Sequence, residues 1–186
     1  MIVKEVKFPI YSIGHGNRST ETFFAILKQY EIDFLIDVRT NPFSRFNSDF
    51  SREKLEIICK DYSVTYLFLG DSLGGRPANR ACYDESGHVL YDKVMETELF
   101  IKSANRLITA YNKNLSVVCM CSESKPCECH RSKMIGRYLS SKNIDMKHID
   151  ELGKLVDQST VMQQVTGGYE RNLFGDEFKF QSIGAY

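Results

Sequence analysis

Four of the six cysteines lie between Cys119 and Cys129, and the same stretch of chain carries Glu123, His130 and Arg131. Thiols, a carboxylate, an imidazole and a guanidinium together offer nucleophilic, acid–base, metal-binding and anion-binding chemistry. Because Cys129, His130 and Arg131 begin a predicted helix, the helix N-terminus would stabilise a thiolate or a bound phosphate there. The fork of Arg131 would add a bidentate contact to a phosphate or carboxylate.

Several interpretations of this cysteine-rich segment stay open. In the first, Cys121 and Cys129 are reactive thiols, and His15 or His130 is the proton-transfer partner. In the second, Cys129 is only a small buried hydrophobe. In the third, thiolates hold a zinc ion or an iron–sulfur cluster, but the Cys-x-Cys spacing counts against this because alternate residues of one strand do not converge readily on one ion. No cofactor is therefore predicted, and zinc or an iron–sulfur cluster remains an alternative.

The carboxylates and arginines complete the candidate site. Asp37 ends an otherwise apolar strand and Glu123 lies among the cysteines, so their different surroundings would suit an acid–base pair. An ion pair of Asp37 with Arg39 or Arg18 that only braces the loops fits the sequence equally well. The predicted catalytic residues are Asp37, Glu123, Cys121, Cys129 and His15. The predicted substrate-binding residues are Asn17, Arg18, Arg39, Gly74, Gly75, Arg76, His130 and Arg131.

The elements that must position these residues alternate between apolar strands and amphipathic helices. Strands are predicted at residues 10–13, 34–38, 65–69, 115–121 and 146–149. Helices are predicted after a cap at Ser19 or Thr20, after a cap at Ser51, and over residues 91–111, 129–141 and 155–165. Residues 70–90 read as a long irregular segment. This order predicts an α/β fold, a single three-layer Rossmann-like domain with a mostly parallel sheet flanked by helices.

The polar residues follow four of the predicted strands, and the carboxyl ends of parallel strands share the sheet edge where ligands bind. We therefore expect the functional site at this edge. Residues 1–154 form the predicted α/β domain that carries it. Residues 155–186 form a C-terminal helix and tail, either part of the same domain or loosely attached. His88 and His148 stand alone in the sequence and are assigned to surface or packing roles.

Four short motifs carry these polar residues: YSIGHGNR at 11–18, LIDVR at 35–39, LGDSLGG at 69–75 and CSESKPCECHR at 121–131. In this order they resemble the domain of unknown function 488 family of prokaryotic proteins, over about residues 10–150. The resemblance implies an α/β domain whose motifs line one pocket, and it implies no particular reaction. The implied pocket residues are His15, Asn17, Arg18, Asp37, Arg39, Cys121, Glu123, Cys129, His130 and Arg131. Cys119 and Cys127 look additional to the family pattern.

Composition limits the partners. Lys and Arg number 24 against 24 Asp and Glu, which excludes a globally basic nucleic-acid binder, so any nucleic acid would bind through a local patch. No stretch approaches the roughly 18 apolar residues of a membrane helix and the start lacks a secretory signal, so we expect a cytoplasmic protein without membrane contact.

The arginines that follow the predicted strands, among them Arg18, Arg39, Arg76 and Arg131, predict an anionic ligand. The sequence therefore predicts an enzyme, a hydrolase or group transferase, acting on a phosphate-bearing small molecule, nucleotide or nucleic-acid end. A non-catalytic module that binds a nucleotide or nucleic acid is the first alternative, and a Cys-ligated metal or redox sensor is the second. The sequence predicts no oligomeric state.

Overall fold

The fold is built on one mostly parallel sheet, seen in a computed structural model that describes residues 7–168 and 178–186. The strands in these residues are β1 (Ile10–Gly14), β2 (Phe34–Asp37), β3 (Thr65–Phe68), β4 (His88–Leu90), β5 (Val117–Cys121), β6 (Met146–Ile149), β7 (Leu155–Asp157) and β8 (Gln181–Ala185). Six of them form a sheet in the order β3-β2-β5-β1-β6-β7, in which β7 pairs antiparallel with β6 and the other neighbours are parallel. Strands β4 and β8 form a separate antiparallel pair.

Helices cover both faces of this sheet. Within the described residues they are α1 (Thr20–Gln29), α2 (Arg52–Asp61), α3 (Gly70–Leu73), α4 (Tyr91–Met95), α5 (Glu98–Asn112), α6 (Arg137–Ser141) and α7 (Gln158–Thr166). The Ser19 side chain caps α1 by accepting a hydrogen bond from the Thr22 N–H, as the sequence predicts. Successive strand residues face opposite sides of the sheet, so each strand contributes to two cores.

The two cores show the three-layer arrangement directly. On one face, Leu35 of β2 and Val118 of β5 pack with Phe24 of α1. On the other face, Val117 of β5 packs with Phe100 of α5. Both strands are therefore apolar on both sides, which is typical of a parallel sheet buried between helices. The predicted three-layer α/β fold is confirmed.

Three predicted elements differ from the structure. The helix predicted over 155–165 begins only at Gln158, because residues 155–157 add β7 to the sheet edge. The helix predicted over 129–141 is π-helical over Arg131–Gly136 and α-helical only afterwards. The segment 70–90, predicted as irregular, contains α3 and β4. Of the predicted C-terminal segment, residues 169–177 lie outside the described residues.

The sheet brings three strand ends together. β5 lies between β2 and β1, so the carboxyl ends of these strands are immediate neighbours. The chain after β1 packs tightly on the cysteine-rich segment: a Cβ at Gly14 would lie 1.8 Å from the Glu123 carbonyl oxygen. A larger residue at position 14 would therefore push these two loops apart.

No helix within residues 7–168 and 178–186 is long and apolar enough to cross a membrane.

Candidate functional site

A cavity of about 420 Å³ opens at the carboxyl edge of β2 and β5. Seven of the residues predicted from the sequence line it: Arg39, Gly75, Arg76, Cys121, Glu123, Cys129 and His130. They come from the ends of β2 and β5, the loop after α3 and the cysteine-rich segment. Tyr186, which follows β8, lies against the opposite wall. The predicted convergence of polar residues at one sheet edge therefore has a physical counterpart.

Four reactive groups meet on one wall of this cavity, and we call them the Cys–Glu–His cluster: Cys121, Glu123, Cys129 and His130. One ligand atom from each residue lies within 4.8 Å of the others. Glu123 Oε2 is 2.7 Å from Cys121 Sγ and 3.3 Å from Cys129 Sγ. His130 Nδ1 is 3.6 Å from Cys129 Sγ and 3.9 Å from Cys121 Sγ. Glu123 is exposed, whereas the other three residues are buried.

The ring of His130 is held in one orientation. Its Nε2 lies 3.1 Å from the Val38 carbonyl oxygen, so Nε2 carries the proton and donates it. Nδ1, the second ring nitrogen, then faces the sulfur atoms of Cys121 and Cys129. Gly75 makes room for this ring, because a Cβ at position 75 would lie 2.9 Å from His130 Nδ1.

Arg131 lies behind the cluster. Its side chain is fully buried, and its Nε donates to Cys129 Sγ at 3.2 Å. The remaining guanidinium nitrogens donate to Ser12 Oγ at 3.2 Å and to the Glu123 carbonyl oxygen at 2.6 Å. Arg131 begins the π-helical segment, a form of helix that often occurs at functional sites. The structure therefore places this predicted substrate-binding residue under the loop, where it braces Cys129 and Glu123.

Neighbouring groups shift the pKa values of Cys121 and Cys129 in opposite directions. Burial favours the neutral thiol of Cys129, but the Cys121 hydrogen bond and the charges of Arg131 and His130 outweigh it and lower the Cys129 pKa well below its usual value. The hydrogen bond to Cys129 and burial both raise the pKa of Cys121. Within the pair, Cys129 is therefore the more acidic thiol and Cys121 the less acidic one.

Asp37 is enclosed by hydrogen-bond donors. Its Oδ1 accepts from Arg39 Nε at 2.9 Å, and its Oδ2 accepts from Arg39 Nη2 at 2.6 Å and from the Tyr66 hydroxyl at 2.7 Å. Asp37 is fully buried, and it does not line the cavity. Of the two possibilities that the sequence leaves open, this geometry matches the ion pair that braces the loop and orients Arg39.

His15, Asn17 and Arg18 lie to one side of the cavity and do not line it. The His15 ring stacks on Phe50 with 4.4 Å between centroids, and burial lowers its pKa to about 4. Arg18 donates to the carbonyl oxygens of Gly14 and Asp150. Asn17 is exposed. His15 and Arg18 therefore tie the loop after β1 to its neighbours.

Sequence reasoning missed a row of buried polar groups behind the cluster. His148 Nδ1 is 2.6 Å from Ser12 Oγ, and His148 Nε2 is 2.5 Å from Gln158 Oε1. Gln158 Nε2 in turn donates to the Ser132 carbonyl oxygen at 3.0 Å. The row supports Arg131 through Ser12. No local sequence signal marks it, because its members lie far apart along the chain.

Gly74 and Tyr91 complete the description of the site. Gly74 lies beside the cavity wall, where a Cβ would meet Thr40 Oγ1 at 2.4 Å, so a small residue is needed there. Tyr91 lines the cavity from the first residue of α4. Burial raises the pKa of Tyr91, so its hydroxyl stays protonated.

The cavity is lined both by four possible metal ligands and by two arginines. Two sulfur atoms, an imidazole nitrogen and a carboxylate oxygen are ligands that suit zinc-class metals. Arg39 and Arg76 line the same cavity together with Glu123 and Glu128, and Arg39 is ion-paired with Asp37. The cavity therefore has the chemistry to receive an anion beside a set of nucleophilic or metal-binding groups.

Comparison with known proteins gives a family and no biochemical relative. Neither the curated proteins nor the solved structures include a significant match to this chain. The family model described as Domain of unknown function DUF488 matches residues 19–139, about two thirds of the chain. The match spans β2, β5 and the cysteine-rich segment, which supply the cavity. The chain belongs to the domain of unknown function 488 family.

Proposed function

We propose that the protein is an enzyme that hydrolyses, or transfers a group from, a phosphate-bearing small molecule, nucleotide or nucleic-acid end. One observation carries the proposal: the Cys–Glu–His cluster and two arginines line the same open cavity. Reactive groups beside cationic groups in a cavity are the usual composition of an active site for anionic substrates. The volume of about 420 Å³ suits a nucleotide-sized ligand.

Arg76 is the residue that we assign to the phosphate. Its guanidinium stacks on the Tyr186 ring at 3.7 Å, which fixes the plane of the fork at the mouth of the cavity. An arginine held in this way can donate two parallel N–H bonds to a phosphate. Arg39 also lines the cavity, where the buried ion pair with Asp37 holds its guanidinium in place and compensates most of its charge.

Glu123 is the carboxylate that we assign to proton transfer, because it is exposed at the cavity while Asp37 is enclosed. For hydrolysis at the phosphate, a water oxygen forms a bond to phosphorus as the bond from phosphorus to the leaving oxygen breaks. Glu123 takes one proton from the water and returns it to the leaving oxygen. Water is the only co-reactant that this step needs.

The test is a turnover screen with nucleoside phosphates and 5′-phosphorylated oligonucleotides, with products separated by chromatography. We expect Glu123→Gln to lower kcat while the affinity for the phosphate compound is kept. We expect Arg76→Ala to weaken that affinity by about 10- to 100-fold, as for loss of a charged bidentate contact. Arg106→Ala is the matched control, because it removes an exposed arginine on α5 outside this cavity.

Absence of turnover on every compound would contradict the proposal. Binding that depends on Arg76 without turnover would instead support the non-catalytic nucleotide-binding module. A loss of affinity in Arg106→Ala as large as in Arg76→Ala would show that general charge, and not the cavity, attracts the anion.

A further inference from the structure

The Cys–Glu–His cluster has the donor set and spacing of a metal centre. A zinc ion lies about 2.3 Å from sulfur and about 2.0–2.2 Å from nitrogen or oxygen, so tetrahedral ligands lie about 3.3–3.8 Å apart. Cys129 Sγ is 3.3 Å from Glu123 Oε2 and 3.6 Å from His130 Nδ1. Cys121 Sγ is 3.9 Å from His130 Nδ1 and 2.7 Å from Glu123 Oε2. Of these four distances, only the last lies far from this range, and all four ligand atoms lie within 4.8 Å of one another.

The surroundings of the cluster are those of a prepared ligand set. The Val38 carbonyl oxygen accepts a hydrogen bond from His130 Nε2–H, which leaves Nδ1 as the ligand atom. Metal-binding histidines are commonly oriented by such a bond from their second nitrogen. Arg131 donates to Cys129 Sγ and to the Glu123 carbonyl oxygen, so it fixes both ends of the loop that carries two of the ligands.

We infer that Cys121, Glu123, Cys129 and His130 bind one divalent ion of the zinc class. Two thiolates select a soft or borderline metal, whereas magnesium and calcium prefer oxygen ligands. Cys121 and Cys129 are buried and close together, and a divalent ion would compensate two negative sulfurs there more fully than Arg131 alone. The separations within the sequence, Cys-x-Glu and Cys-His, converge because the loop folds back on the strand end.

The cluster also indicates which ligand exchanges. Cys121, Cys129 and His130 are buried, while Glu123 is exposed and borders the cavity. Three permanent ligands and one position open to the cavity are typical of catalytic zinc sites, whereas structural sites are closed. We assign Glu123 as the exchangeable ligand. This step rests on the proposed function, to which a zinc ion would add Lewis acidity at the position that Glu123 vacates, while Glu123 would then be free to transfer the proton.

Metal content is the direct test. The full chain is purified without added metal or chelator, and the zinc, iron and copper contents are measured by elemental mass spectrometry. The protein is then stripped and titrated with Zn²⁺ against a chromogenic competing chelator, and with Co²⁺ for its absorption spectrum. We expect about one ion per chain, and a Co²⁺ spectrum with thiolate charge-transfer bands and the intense d–d bands of a tetrahedral site.

The variants separate the ligands from their neighbours. Cys121→Ser, Cys129→Ser and His130→Gln should each weaken Zn²⁺ binding by at least about 100-fold. Cys127→Ser is the matched control, because Cys127 lies in the same loop but outside the cluster, and it should keep about one ion. Glu123→Gln should keep the ion and weaken binding by less than about 10-fold.

Three results would overturn the inference. One is a wild-type protein that binds no Zn²⁺ and gives no tetrahedral Co²⁺ spectrum. This measurement uses only the wild type, so it does not depend on the folding of a variant. Another is Cys127→Ser losing as much affinity as Cys129→Ser. Complete loss of the ion in Glu123→Gln would overturn its assignment as the exchangeable ligand. Near-ultraviolet circular dichroism in chelator checks that each variant is folded.

The metal centre and the proposed reaction can fail separately. If the cluster binds zinc but no phosphate compound is turned over, the metal centre is supported and the proposed enzymatic function is contradicted. If turnover continues after complete removal of metal, the enzymatic function is supported and a role of the metal centre in that reaction is contradicted. Arg76→Ala should keep its zinc, because Arg76 is not one of the four ligands.

Discussion

His148 should make the protein sensitive to acid. Its side chain is fully buried, and both of its ring nitrogens are hydrogen-bonded. The Gln158 amide nitrogen donates to the Ser132 carbonyl, so its oxygen accepts from His148 Nε2, and Ser12 donates to Nδ1. The neutral ring is therefore satisfied, and burial lowers the pKa of His148 from 6.5 to about 4.

The size and sign of the effect follow from this pKa. The unfolded chain takes up the His148 proton near pH 6.5, whereas the folded chain does not until about pH 4. The contribution to stability is therefore complete above pH 6.5 and is lost as the pH falls toward 4. One pKa unit corresponds to about 1.4 kcal/mol, so the total loss is about 3 kcal/mol. His15 titrates over the same window, so His148→Gln should remove about half of the slope due to these two residues.

Urea denaturation between about pH 5 and about pH 8, in the presence of a chelator, measures this directly. The difference in unfolding free energy between the wild type and His148→Gln should shrink by about 1.4 kcal/mol for each pH unit below 6.5. Met146→Leu is the control, because it alters a buried residue of the same strand without changing a titrating group. Two parallel curves for the wild type and His148→Gln would refute the reasoning.

Three further predictions concern Gly75 in the cavity wall and the buried residues Asp37 and Arg131 behind it. Asp37→Asn removes the partner of the buried Arg39 and should lower the unfolding free energy by about 3–5 kcal/mol in urea denaturation. Gly75→Ala places a Cβ 2.9 Å from His130 Nδ1, so it should weaken Zn²⁺ binding by about 10-fold or more in the competition titration. Arg131→Lys cannot reproduce three separate hydrogen bonds and should cost about 2–4 kcal/mol of stability by thermal or urea unfolding.

These predictions have matched controls and contrary results. Asp33→Asn, at an exposed position, should change the unfolding free energy by less than about 0.5 kcal/mol. An effect of Asp37→Asn that is equally small would contradict the importance of the buried ion pair. Unchanged zinc affinity in Gly75→Ala would show that the His130 ring does not need this space. A stability of Arg131→Lys within about 0.5 kcal/mol of wild type would show that the guanidinium contacts are dispensable.

Local patterns were enough to predict the sheet and the sheet edge at which the candidate residues converge. The strands could be recognised because residues such as Leu35 and Val118 make continuous apolar runs, as buried parallel strands require. Since parallel strands end at one edge, the positions of Cys121 and Arg39 after two of them were enough to bring these residues together. Residues 155–157 were assigned to the following helix because this short strand leads directly into α7 without a break in the apolar pattern.

The roles of individual side chains depended on contacts that no local pattern contains. Arg131 has the same sequence signature whether it faces a ligand or lies beneath the loop, and only the partners Ser12 and Glu123 distinguish the two. His148 looked isolated because its partner Gln158 belongs to another element. The spacing of Cys119 and Cys121 counted against metal, whereas the structure joins Cys121 to residues from beyond the strand.

The strand order has a consequence for how the chain folds during synthesis. β5 hydrogen-bonds to both β1 and β2, although it follows them by many residues along the chain. A nascent chain that has emerged only as far as α5 therefore has β1 and β2 with unpaired edges and a gap between them. Such edges are templates for wrong pairing, and long-range strand insertion is slow. The strand that carries Cys121 closes this gap, so the centre of the sheet and the first residue of the reactive cluster come into place together, before β6 and β7 add the last two strands.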